Sequence, residues 1–132
     1  MSDDHPSELA FEAFIRIYYE HFDFQRFCFA NLYHKMATLN FGSEPIHGSD
    51  EIQHQIMQMP RTLHRLTAVI CESISLQEYT HKKLYHCKIS GRVLFYNEER
   101  NFKQNFVILI GNDKWKIILD SYSLEQVYKQ SE

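Results

Sequence analysis

The run Asn101-Phe102-Lys103-Gln104-Asn105-Phe106-Val107-Ile108-Leu109-Ile110, the turn Gly111-Asn112-Asp113 and the return Trp115-Lys116-Ile117-Ile118-Leu119-Asp120-Ser121-Tyr122 decide how this chain folds. An antiparallel strand with one wet face alternates apolar and polar residues, yet Phe106 to Ile110 is unbroken apolar and Ile117 to Leu119 repeats the pattern. The expected element is a β-hairpin covered on both sides. Helices elsewhere in the chain suffice for one side only, so a second protein is expected on the other.

Bulk properties narrow the classes. The chain has 132 residues, 44% apolar and 14% aromatic, with ten Phe and eight Tyr. That length buries a core without metal or disulfide staples, which predicts a single domain over 1–132 built on large flat side chains. A formal charge of -3 supplies no field that would draw it to phosphate backbones or anionic lipid, so direct nucleic-acid and membrane binding are disfavoured. The clusters His81-Lys82-Lys83 and Glu98-Glu99-Arg100 are expected as solvated turns. Cys28, Cys71 and Cys87 are odd in number and lack a C-x-x-C spacing, so reduced core thiols are expected. No apolar run reaches the roughly 18 residues that span a bilayer. The start Met1-Ser2-Asp3-Asp4-His5 is acidic rather than a signal-peptide n-region, and a cytosolic or nuclear location is expected.

Pro6, Ser7 and Glu8 suit the first turn of a helix. Phe11, Phe14, Ile15, Tyr18, Tyr19 and Phe22 recur at three- and four-residue steps, so this helix is expected to run to about Phe22 behind a broad aromatic stripe. After a break at Asp23, a second helical segment is expected over roughly Phe24 to Lys35. Ala37 to Phe41 and Ile46-His47 read as a small hairpin about Gly42-Ser43-Glu44-Pro45. Gly48-Ser49-Asp50-Glu51 then opens a short third helix that Pro60 stops. Strands are expected over Leu63 to Leu76 and Lys83 to Tyr96, followed by the hairpin above. Asn97 to Asn101 is expected as a mobile tip, and Glu125 to Glu132 as a frayed tail. Helices first and strands after make an α+β domain: three N-terminal helices packed on a curved, mainly antiparallel sheet.

Three helices before a four-stranded sheet, a Phe41-to-Gly48 hairpin and the closing Trp115-Lys116-Ile117 and Asp120-Ser121-Tyr122 resemble the nuclear transport factor two family over nearly the whole chain. Gly91-Arg92-Val93 and the run Asn101 to Phe106, with Tyr18-Tyr19 and Leu32-Tyr33, resemble in particular its branch of small subunits of the messenger-RNA export receptor. The resemblance implies a cone-shaped fold whose sheet pairs face to face with the related domain of a large receptor, forming a non-enzymatic heterodimer. The pair would shuttle between nucleus and cytoplasm and present pockets to phenylalanine-glycine repeats of the pore. The partner face it implies comprises Lys88, Ser90, Asn105, Val107, Leu109, Ser121 and Ser123, while Phe106, Ile108, Ile118, Asp120 and Tyr122 would face the helices. Two departures stand out. The family's carrier of Ran-GDP has a carboxylate after an aromatic where this chain has Phe41-Gly42, which disfavours the alternative of a homodimeric Ran or cargo carrier. Ser123 replaces a usual arginine that pairs across the dimer, so this chain cannot make that bond.

A second alternative is a small isomerase or dehydratase, because the same cone also houses enzymes with a carboxylate or histidine in an apolar cavity. Asp120, Tyr19, Tyr122 and His47 are the candidates, and Phe41, Asp120 and Tyr122 the expected cavity residues. A carboxylate on an inward strand is costly unless hydrogen-bonded, and a tyrosine hydroxyl or backbone amide is the expected partner. The eight histidines lack ligand spacing, so no metal and no cofactor are expected. Met57 and Met59 read either as core or as a groove for phenylalanine side chains.

Overall fold

The computed structural model describes residues 6–42 and 44–125. Helix α1 (Glu8–Phe24) begins at the N-cap Ser7, whose Oγ accepts from the Ala10 N–H at 3.2 Å, with Glu8 at the positive end of the helix dipole. Its buried stripe is Phe11, Ile15, Tyr18, Tyr19 and Phe22. The helix expected to end at about Phe22 runs two residues further, and Asp23 turns its carboxylate away from the helix end, accepting from Thr62 Oγ1 at 2.7 Å and from the His64 N–H at 2.8 Å. Next comes a 3-10 segment, Arg26–Leu32.

The helix expected through Lys35 ends earlier, and Tyr33 to Lys35 belong to strand β1 (Tyr33–Phe41). A remote partner overrides local preference here: Tyr33 pairs with Ile117 and Leu39 with Asp120 in a parallel ladder. Strand β2 (Pro45–His47) closes the expected small hairpin against β1. Helix α2 (Ser49–Met57) starts at Gly48, whose φ of 87° is a conformation glycine adopts freely, with Asp50 and Glu51 in its first turn.

Four long strands follow: β3 (Thr62–Ile74), β4 (Lys83–Phe95), β5 (Glu98–Gly111) and β6 (Lys114–Leu124). The sheet order is β2-β1-β6-β5-β4-β3, with β1–β6 the parallel pair. Three helical segments pack on one face of this curved, mainly antiparallel sheet, as expected. Asn112 and Asp113 at the β5–β6 turn have φ of 51° and 61°, and Tyr96 and Asn97 at the β4–β5 turn 53° and 65°, the signature of two-residue hairpin turns that match strand twist. The second turn overturns the expected mobile tip, since Glu98 to Asn101 are strand, and Glu99 pairs with Arg92 at 3.1 Å and Arg65 at 3.5 Å. Of the expected frayed tail, Glu125 donates its N–H to the Asn101 carbonyl at 2.9 Å, and 126–132 lie outside the described residues.

The core joins the α1 stripe to Cys87, Ile89, Val93, Phe102, Phe106 and Ile108. A bulge shifts the β5–β6 register so that Ile117 sits opposite Ile108 in this core, the seat expected for Ile118. Gly91 has no room for a side chain: an added Cβ would lie 2.3 Å from the Arg65 carbonyl oxygen and 2.8 Å from Phe102 Cε1. The expectation of three reduced thiols fails for two of them. The β3–β4 register sets Cys71 directly opposite Cys87, Cα atoms 4.1 Å apart, and the two form a disulfide, while Cys28 is free.

Candidate functional site: the open sheet face and a buried tyrosine–aspartate cluster

Side chains alternate along the strands, so the face turned from the helices follows from the register. Lys88, Asn105 and Ser121 form one cross-strand row, Ser90, Lys103 and Ser123 the next, and His86, Val107 and Leu119 another. Leu109 stands opposite Leu84 on the same side. All seven residues expected to meet a partner thus share one face: Lys88, Asn105, Ser121 and Ser123 are exposed, and Ser90, Val107 and Leu109 half-buried. Leu119 on this face is 43% exposed, and Leu63, Ile70 and Leu94 are open to solvent on its β3–β4 half. The apolar run of β5 therefore splits by parity, with Phe106 and Ile108 in the core and Val107 and Leu109 outside it.

Behind this face, Asp120 is 1% exposed. It accepts from the Tyr18 hydroxyl at 2.9 Å, from the Tyr33 hydroxyl, and from Gln104 Nε2 at 2.7 Å. Gln104 also donates to the Tyr18 oxygen at 2.8 Å and accepts from the Tyr19 hydroxyl. Burial pushes Asp120 up to about 6, against the pull of the Tyr33, Gln104 and Tyr18 bonds that favour its charged form. Tyr18, Tyr19 and Tyr33 are held well above the ordinary tyrosine range, first by burial and then by the Asp120 charge. The tyrosine hydroxyls expected to satisfy Asp120 are thus present, supplied by α1 and β1.

A second polar chain was not foreseen in the sequence. His64 Nδ1 lies 2.6 Å from Asp23 Oδ1, and its Nε2 lies 2.7 Å from the Tyr122 hydroxyl, with the His64 side chain fully buried. Asp23 and His64 are separated by 41 positions and come together only because α1 crosses the start of β3. Burial raises the Tyr122 hydroxyl above its ordinary range, and the Asp23 and Asp120 charges raise it further.

Of the expected cavity trio, Phe41 and Tyr122 come together, their rings stacked at 4.7 Å and 10°, beside a hollow of about 410 Å³ that also borders Asn40, Ser121 and Leu124. Asp120 does not line it, because Tyr18, Tyr33 and Gln104 enclose the carboxylate on the core side. His47 lies at the exposed sheet rim on strand β2, bonded to Thr38 Oγ1 at 3.1 Å and outside the buried cluster. Met57 is exposed, and Met59 packs against the core.

Residues 10–124 match the nuclear transport factor 2 (NTF2) domain. The chain belongs to that family. It is 26% identical over 121 residues to NTF2-related export protein 1 of Bos taurus, covering 88% of this chain and 86% of the relative. To NTF2-related export protein 2 of Homo sapiens it is 27% identical over 121 residues, covering 88% and 85%. Among solved structures, nuclear transport factor 2 of Cryptosporidium parvum superposes with a TM-score of 0.73 at 20% identity, over 86% of this chain and 90% of that one. The NTF2 fold accounts for a sheet with helices on one side and a second side left open within the chain.

Proposed function

We propose that this NTF2 domain is a single-domain, non-enzymatic adaptor that pairs through its open sheet face with a related domain of a nuclear RNA-export receptor. The observation that carries the proposal is that face: Val107, Leu109 and Leu119 present apolar surface in its middle, flanked by Leu63, Ile70 and Leu94, with polar rows of Ser, Asn and Lys around them. An apolar centre with a polar rim is the anatomy of a stable interface. The relatives named export proteins supply the kind of partner. Pairing hides the face and completes the receptor, and the composite shuttles between nucleus and cytoplasm and meets phenylalanine-glycine repeats at the pore. RNA selection then belongs to the large subunit, in keeping with a net charge of -3 here. Lys88 reaches the rim by extending its stem across the face, and Ser123 implies a mate that does not require the family arginine.

An enzymatic role finds less support. Asp120 is raised toward the range of a working acid or base, but its oxygens already accept three bonds and none of the described hollows is lined by it. A reacting atom would first have to displace Tyr18 or Tyr33.

Co-expression with NTF2-like domains of export receptors, followed by size-exclusion chromatography with light scattering, tests the pairing. A one-to-one complex is expected for the native chain, and Val107→Asp should abolish it by placing an unpaired charge at the centre of the face. Co-purification unchanged by Val107→Asp overturns the assignment of this face, and a homodimer indifferent to those domains favours a carrier.

A further inference from the structure

A different surface of the molecule has the backbone chemistry of a docking site. Strand β3 is the long edge of the sheet, with β4 as its one strand neighbour among the described residues. In an antiparallel pair, opposed residues alternate between those that exchange hydrogen bonds, about 5.5 Å apart at Cα, and those that do not, about 4.5 Å apart. The Cys71–Cys87 Cα distance of 4.1 Å marks a pair of the second kind. The N–H and C=O of Cys71 therefore point away from β4, and so do those of Val69 and Ser73, which share its parity opposite Ile89 and Tyr85. The same outward direction is already used once further along β3, where the His64 N–H donates to Asp23 at 2.8 Å.

Alongside this edge runs a trench between β3 and α1, made of two hollows of about 500 and 480 Å³ that share Glu12 and Val69. Its apolar floor is the half-buried Leu66 and Val69, packed over the buried Phe11, Ile15 and Tyr85. The helical wall carries Glu8, Glu12 and Glu20 with Arg16, so three carboxylates face one guanidinium. Glu8, Glu12 and Glu20 have no ion-pair partner among the described residues.

We infer that the β3 edge and its trench take up an extended basic segment of another protein as a seventh strand, with Lys or Arg at alternate positions. Main-chain bonds to Val69, Cys71 and Ser73 would hold the segment, as in other strand-addition complexes. Every second side chain of such a strand points toward α1. An apolar stem ending in a cation fits that position, because the stem covers the half-buried Leu66 and Val69 while the head reaches Glu8, Glu12 or Glu20. An acidic segment would meet the uncompensated carboxylates, and an all-apolar one would leave them desolvated. The trench lies on the helical side of the sheet, opposite the face assigned to the receptor domain, with Ile70 at the border of the two.

The probe is a fluorescein-labelled ten-residue peptide alternating Lys and Thr, with an alternating Glu-Thr peptide as control, titrated into the full chain at low ionic strength. The Lys-Thr peptide is expected to bind and to slow amide hydrogen exchange at Val69, Cys71 and Ser73. Glu12→Lys should weaken it about tenfold, the scale of reversing one exposed charge beside a cation. Ser73→Pro changes no charge and removes one outward N–H at a position where an edge strand tolerates proline, and should weaken it about fivefold. Equal binding of both peptides, unchanged exchange at the three amides, or full binding by either variant with native circular dichroism overturns the inference. Slowing of the same amides with protein concentration and no peptide also overturns it, by making a second copy of the chain the occupant.

Discussion

Removing the charge at Asp120 should change how stability responds to pH, in a direction the buried cluster dictates. Asp120 has its folded pKa pushed up from 3.8 to about 6 by burial. Between those values the folded chain binds a proton that the unfolded chain has lost, so unfolding releases a proton and stability falls as pH rises. The contribution is fully favourable below about pH 4, declines through the folded value and is flat above it. Moving from 3.8 to about 6 corresponds to about 3 kcal/mol in total. The perturbation is Asp120→Asn, and the assay is urea unfolding of both chains from pH 4.5 to 7.5. The two proteins share every other titrating group, so the difference in unfolding free energy isolates this carboxyl. The constant offset between them carries no weight, since an amide facing the Gln104 NH₂ costs something at every pH. What counts is the shape: the native chain should lose stability relative to the variant across pH 4.5 to 6.5 and then run parallel to it. A flat difference would refute the dominance of desolvation. A difference rising with pH would show that the Tyr18, Tyr33 and Gln104 donors outweigh burial and hold the carboxylate charged.

Gly91→Ala should destabilise by at least about 2 kcal/mol, read as a fall in thermal midpoint, because its methyl meets the Arg65 carbonyl in the paired strand as well as the Phe102 ring. Cys71→Ser should cost up to about 3 kcal/mol under oxidising conditions, the scale for a cross-link closing a loop of this size. Native chain and variant should converge once reductant is added, and equal stability without reductant would show that the bond contributes nothing. Arg26 donates from Nε to the Phe22 carbonyl at 2.7 Å and reaches the carbonyls of Ile56, Met59 and Pro60, so it ties α1 to the end of α2. Arg26→Ala should lower the urea midpoint by the equivalent of about 2 kcal/mol, and Arg26→Lys should not restore it, because a point-charge ammonium cannot serve the same spread of acceptors.

The strands were legible where local chemistry and tertiary context agree. Gly111-Asn112-Asp113 is turn chemistry between apolar runs, and the hairpin forms there; the aromatic stripe of α1 has helical spacing and is buried as that spacing requires. Misplaced elements are those whose state is set by a distant partner. Tyr33 to Lys35 continue a helical pattern locally, but β6 recruits them as strand. Glu98 to Asn101 look like a charged tip because nothing in their own composition reveals that Tyr96-Asn97 has already turned the chain. The cysteine pair had a signal that spacing motifs do not capture: Cys71 and Cys87 lie equally far from Tyr79 in the loop between two long strands, so the antiparallel register that follows puts them opposite each other. Asp23 and His64 had none, since their contact depends on the angle at which α1 crosses the sheet. Asp120 drew attention as an inward carboxylate, but its seclusion behind Tyr18 and Tyr33 could not be read from β6 alone.

The parallel seam between β1 and β6 governs when the molecule can become itself during synthesis. Asp120 joins Tyr33 across 87 positions and Tyr18 across 102, so the hydroxyls of an earlier helix and strand wait for β6. Until β6 leaves the ribosome, the Tyr18 and Tyr33 hydroxyls lack their acceptor and β1 lacks its neighbour. The β3–β4–β5 meander, closed by short-range hairpins, can assemble in the interval, and closing the long loop comes last and slowest. The aromatic stripe therefore gains its apolar cover from β4 and β5 before the Tyr18 and Tyr33 hydroxyls gain Asp120, so the last event of folding is polar rather than apolar.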